Sequence, residues 1–185
     1  GMAPDALARR GLSRTFQNLQ VCMNMTALDN VMVGSHLRLN QNLFASMLRV
    51  PAVRRADDEC RAEAVRLMQF VGVGKYEGAD ASQMPYGALK RLEIARALAA
   101  SPKILLLDEP AAGLNHTETG EIEDLIRKVA QSGVTVLLVE HDMKLVMNLS
   151  DHILVLDYGK TLAEGTAAEV RANPDVIAAY LGAAA

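Results

Sequence analysis

Four consecutive aliphatic residues, Ile104 to Leu107, follow Pro102 and Lys103 with no polar interruption. A surface helix leaves polar gaps and a half-buried strand alternates, so this run predicts a fully buried parallel strand. Val134 to Val139 predicts a second buried strand. Between them Ile122, Leu125, Ile126 and Val129 share one helical face, and Gly133 supplies a stop. Strand, helix and strand in this order imply βαβ units with helices covering a sheet. The earlier part of the chain reads differently. From about Thr26 to Tyr76 there is no strand-like run. Ala64, Leu67, Met68 and Val71 fall at helical spacing among Arg61, Glu63 and Arg66, with Pro51 and Gly72 as punctuation. Beyond the second strand, His152 to Asp157 and Thr161 to Glu164 predict a hairpin joined by Tyr158-Gly159-Lys160. Thr166 and Glu169 predict a capping box for a last helix, and Ala183 to Ala185 are expected to be disordered.

Both predicted strands end in polar side chains, Asp108-Glu109 in one case and Glu140-His141-Asp142 in the other. Ligands of open α/β sheets bind beyond the carboxyl ends of strands, and two acids there can divide metal binding from proton acceptance. Magnesium-dependent phosphate transfer needs that division. The plainer alternative makes both acids loop residues, with Asp108 capping a helix and Pro110 breaking the strand. Taken alone, the two acids leave both readings open. A second strand tip with chemistry-capable side chains favours the first.

The order of motifs resembles the ATP-binding subunit of an ABC transporter, most closely the ATPases of branched-chain amino acid importers, from about Arg14 to Leu181. Arg14-Thr15-Phe16-Gln17-Asn18 resembles the family's Q-loop, and Met84-Pro85-Tyr86-Gly87-Ala88 occupies the place of its signature motif. The strand ending in Asp108-Glu109 resembles Walker B, Ala111 to Asn115 the D-loop, and His141 the switch histidine. The subgroup is suggested by Pro85-Tyr86-Gly87, by Arg91 to Arg96, by Glu140 to Met147, and by Asn173 to Ile177 continuing through Tyr180-Leu181-Gly182. The signature segment departs from the usual form. Pro85 replaces a serine and Ala88 a glutamine, while Asn115 and His116 are milder changes in and after the D-loop.

A phosphate-cradling loop needs G-x-x-x-x-G-K-S/T, so that backbone N–H groups close on the phosphates and a hydroxyl reaches magnesium. No segment satisfies it. Gly74-Lys75 is followed by Tyr76 and has Gln69 where the first glycine belongs. The resemblance places that loop upstream of the Q-loop, so a chain without it is expected to bind ATP weakly or not at all and to hydrolyse none alone. Gly1 before Met2 is read as the remnant of a cleaved tag. Met2 is then a start placed inside a longer reading frame, a genomic truncation or a chosen boundary.

At 185 residues, half of them apolar, the chain can bury a sizeable core. A net charge of −3, no Trp and 4% aromatics argue against nucleic acid as main partner. There is no run of eighteen apolar residues and no signal-peptide pattern. Cys22 and Cys60 stand apart, without zinc spacing, and read as buried or free thiols of a reducing compartment. The methionines read as core filler, and Lys90 and Arg91 as a solvated helix face.

The resemblance implies an α/β chain: part of a P-loop NTPase (RecA-like) parallel sheet with an inserted α-helical subdomain. It divides the chain into a core remnant with the Q-loop (1–25), the helical subdomain (26–86), the C-terminal part of the catalytic core (87–170) and a terminal helix and tail (171–185). It implies ATP and Mg²⁺ as cofactors and hydrolysis between two head-to-tail subunits. Asp108 and Gln17 would serve the metal, Glu109 would polarise the attacking water, and His141 would sense the γ-phosphate. Pro85, Tyr86, Gly87, Ala88 and Asn115 would contact nucleotide. The implied partners are permease transmembrane subunits and a second ATP-binding subunit, identical or related, on the inner face of the cell membrane. A degenerate, non-catalytic ABC module and a soluble ABC ATPase acting on nucleic acid are the alternatives.

Overall fold

The computed structural model describes residues 1–36 and 51–181. The tail expected at 183–185, Gly182 and part of the predicted helical region lie outside them. The described residues fall into two compact units, 1–139 and 140–185.

In the first unit a short helix α1 (Pro4–Arg9) carries Pro at its start, where an N–H has no partner to lose, and leads into strand β1 (Leu12–Arg14). β1 lies beside β2 (Ile104–Asp108), which lies beside β3 (Thr135–Val139), all parallel. In register, Leu12 faces Ile104 and Ile104 faces Thr135, while Asp108 faces Val139 at the far end. The sheet therefore closes on Asp108 at one tip. The strands and their parallel pairing match the sequence reading, but their burial does not. Leu105 and Leu107 are buried, whereas Ile104 is 39%, Leu137 53% and Val139 54% exposed. Parity explains this. The exposed residues share one face of the pleat, and the other face meets the helices Tyr86–Ala99 at β1 and His116–Gln131 at β3. An unbroken aliphatic run predicts two covered faces; here only one is covered.

Helix α2 (Ala27–Gly34) is capped by Thr26, whose hydroxyl accepts from the Asp29 N–H, and buries Leu28 and Val31. Its start is pinned to the chain ahead of the signature segment: Ala27 N–H donates to Ala79 O, and Ala81 N–H to Met25 O. Buried Asn30 closes the loop before α2 through both sides of Cys22, donating to its carbonyl and accepting from its N–H. Helix α3 (Pro51–Phe70) buries Ala64 and Met68, with Val71 buried just past its end. Helix α4 (Tyr86–Ala99) is buried along most of its length, and Gly34 of α2 meets it so closely that a Cβ would strike Arg96 O. Helix α5 (His116–Gln131) buries Ile122, Leu125, Ile126 and Val129, the predicted face, and ends ahead of Gly133 at φ +93°.

The second unit contains helix α6 (Met143–Leu149) and a hairpin of β4 (Ile153–Asp157) and β5 (Lys160–Gly165), followed by α7 (Ala167–Ala172). Asp157 pairs with Lys160, so the turn is two residues, Tyr158 and Gly159, both left-handed as a tight right-twisted hairpin requires. Lys160, expected in the turn, is the first strand residue. Its core is Ile153, Val155, Val170 and Val176, flanked by Met143, Val146 and Met147. The capping box expected at Thr166 and Glu169 is present.

Candidate functional site

Asp108 is the last residue of β2, and Glu109 follows at φ +44° with its N–H donating to Val139 O at 2.9 Å. A left-handed non-glycine residue is uncommon, and here it turns the chain off the strand tip while β3 still holds its amide. Two side chains, one from the last residue of β1 and one from the segment just beyond it, meet the two acids. Arg14 Nη2 donates to Asp108 Oδ2 at 2.8 Å, and Gln17 Nε2 donates to Glu109 Oε2 at 2.9 Å. Between them Thr15 N–H donates to Leu106 O at 2.9 Å, prolonging the parallel ladder. The Arg14 guanidinium lies 5.2 Å from the centre of the Phe16 ring. Gln17, Asp108 and Glu109, predicted as one site, are thus brought together. Asp108 caps no helix.

Sequence reasoning placed a helix here but missed what its buried charges hold. Lys90 is a correction: it is not solvated but 3% exposed, with Nζ 3.2 Å from Gln17 O. Glu93, also 3% exposed, accepts from Gln20 N–H at 3.3 Å. Arg96 donates to Gln20 O, and Arg91 pairs with Glu121 at 2.8 Å. Burial pushes the Glu93 carboxyl up from its ordinary pKa, opposed by backbone bonds from Gln20 and Phe16 and by the Arg96 and Lys90 charges. A long cationic stem hides its destination in a sequence, but a lysine and a glutamate three apart on a helix was a usable signal. With Thr15, Phe16, Ile94, Asp108 and Pro110, Lys90 and Glu93 line a small pocket.

The signature segment caps and begins α4. Pro85 is its N-cap residue with no side-chain cap bond, and Gly87 and Ala88 are buried in its first turns. Tyr86 lies against Gly113, and Glu118 lies against Gly87. Lys90 Nζ sits 5.7 Å from the Tyr86 ring centre. Asn115 is engaged locally: its side chain accepts from Glu118 N–H at 3.0 Å while Glu118 accepts from Asn115 N–H at 3.1 Å, capping α5. His141 belongs to the second unit, where its N–H donates to Glu140 Oε2 at 3.2 Å and its ring is largely exposed.

Among the described residues, no three His, Cys, Asp or Glu side chains form a metal cage. Magnesium keeps several of its waters and is held by one or two carboxylates and the substrate's phosphates. Asp108, Glu109 and the Gln17 amide are hard oxygen donors of the kind it takes. Cys22 is exposed and Cys60 buried, both free. No described helix is long and apolar enough to cross a membrane.

The family model described as ABC transporter matches residues 3–112, and that described as branched-chain amino acid ATP-binding cassette transporter matches residues 160–185. The chain is 46% identical to the high-affinity branched-chain amino acid transport ATP-binding protein BraF of Pseudomonas aeruginosa, over all of this chain and 72% of the relative. It is 44% identical to the corresponding protein LivG of Escherichia coli K12, with the same coverage. Among solved structures, the ADP conformation of an ATP-binding cassette of an ABC transporter superposes with a TM-score of 0.79 at 28% identity, covering 98% of this chain and 72% of that one. A nucleotide-free cassette superposes with a TM-score of 0.70 at 27% identity, covering 98% and 68%.

Proposed function

The chain belongs to the ATP-binding subunits of ABC transporters, of the branched-chain amino acid type, and we propose that Asp108, Glu109 and Gln17 are the metal and water end of its ATP site. The observation that supports this most is the Gln17 to Glu109 hydrogen bond, which joins residues 92 positions apart at a parallel strand tip. Neither a non-catalytic module nor an enzyme acting on nucleic acid gains support from the comparisons.

Asp108 and Gln17 would hold Mg²⁺, which would supply positive charge to offset that of the terminal phosphate. Glu109, aimed by its left-handed backbone and steadied by the Gln17 amide, orients the attacking water and accepts its proton. His141 senses the terminal phosphate. Pro85, Tyr86, Gly87 and Ala88 open a 14-residue helix whose positive end faces the nucleotide of a second ATP-binding subunit, while Asn115 holds the neighbouring helix start. Backbone N–H groups thereby do in this segment what the absent serine hydroxyl does elsewhere. The helices between Thr26 and Tyr76, with the loop around Gln17, dock a permease at the inner face of the membrane, and the cargo is a branched-chain amino acid, in keeping with the relatives' names.

Glu109→Gln in the full-length ATPase assembled with its permease keeps the side chain's shape and removes its basicity. ATP hydrolysis is expected to slow by about 10²–10⁴-fold, with ATP binding retained. Unchanged turnover rejects the assignment.

A further inference from the structure

We infer that Lys90, Glu93 and Arg96 of α4 are positioning residues that clamp the backbone of residues 17–20 and so set where Gln17 meets Glu109. This rests on the catalytic reading of Glu109 above. The three stand at i, i+3 and i+6, one face of the helix. Each holds a main-chain group of the segment: Lys90 takes Gln17 O, Glu93 takes the N–H of Gln20, and Arg96 takes Gln20 O.

Residues 16–20 form neither helix nor strand, so no regular ladder fixes them. Their geometry is set from outside, by α4. Two of the three clamp residues are buried charges, which are costly unless paired and hydrogen-bonded. A solvated helix face would not carry that cost. The clamp is bipolar, with cations on carbonyls and an anion on an amide, so it fixes both the position and the facing of the segment. Gln17 lies inside the clamped stretch and touches Glu109 at 2.9 Å. Because α4 starts at the signature segment, a displacement of that helix is carried into Gln17 and the water it helps to aim.

Two measurements separate this role from mere packing. In the 185-residue chain, amide hydrogen exchange at Gln20 is expected to lose protection in Glu93→Ala and to regain most of it in Glu93→Gln, which keeps an acceptor oxygen. Amides of β2 and α5 stay protected. In the full ATPase with its permease, Glu93→Ala is expected to lower kcat by about 10- to 100-fold, the scale of a small misplacement, with KM for ATP unchanged and with rescue by Glu93→Gln. That loss should largely disappear in a Gln17→Ala background, since residues acting as one unit are not additive. If Glu93→Ala unfolds the chain, Arg96→Met, nearer the surface, is read the same way at Gln20. Unaltered protection at Gln20, a change in KM alone, or additive losses overturn the inference. If Glu109→Gln keeps full turnover, the catalytic reading fails while the exchange result still decides the clamp.

Discussion

At Gly34 a hydrogen is all that fits between α2 and the carbonyl of Arg96, because a Cβ would occupy the place of that oxygen and also press on Ala99. Both neighbours belong to a buried helix, so neither can swing away as a surface side chain would. Gly34→Ala is expected to destabilise the chain by about 1–3 kcal/mol, the usual range for overpacking, seen as a lower urea midpoint at unchanged m-value. A midpoint equal to the parent's would show that α2 and α4 separate easily. The same contact bears on the clamp, since Arg96 contributes its carbonyl to one and its side chain to the other. Lys90 and Glu93 differ from Gly34 in kind. Their burial is tolerated because every charge finds a main-chain partner, so their removal is felt in the segment they hold.

Helix α7 shows how a short element depends on its first turn. Thr166 and Glu169 exchange hydrogen bonds, with Thr166 N–H donating to Glu169 Oε2 at 2.8 Å and Glu169 N–H to Thr166 Oγ1 at 3.4 Å. The bonds from Thr166 hold the Glu169 carboxyl below its ordinary pKa. The sign follows directly. The folded state prefers the carboxylate, so the box is at full strength above the ordinary glutamate value and weakens as pH falls through the lowered one. Amide exchange at residues 166 to 170 is expected to quicken on acidification through that window in the parent and to be pH-independent, beyond intrinsic exchange, in Glu169→Gln. Identical pH profiles would show that the box contributes nothing to α7. Helix α5 opens with the same device at Asn115 and Glu118.

For the whole molecule the deciding feature is the sheet's exposed face. Ile104, Leu137 and Val139 lie on one side of β2 and β3, and β3 pairs with a neighbour only through β2 among the described residues. An apolar face beside an open parallel edge is a template for association. The 185-residue chain is expected to self-associate with rising concentration in sedimentation, and Leu137→Lys, which places a charge on that face, to reduce it. A parent that sediments as a monomer at high concentration removes the prediction.

Local patterns alone determined the elements: the α5 face from Ile122 to Val129, the Gly133 stop, the hairpin and the Thr166 capping box all depend on neighbours a few residues apart. Motif order determined the family, because several short motifs in sequence are more specific than any one of them. Tertiary structure decided the rest. Whether one or both faces of β2 are covered depends on what packs there, and four aliphatic residues read alike in either case. The partners of Arg14 and Gln17 lie more than ninety residues away, beyond any periodicity. Lys90 looked like a solvated cation because a lysine's surroundings are written in other segments; only folding brought the carbonyl of Gln17 to its ammonium and made a buried charge tolerable.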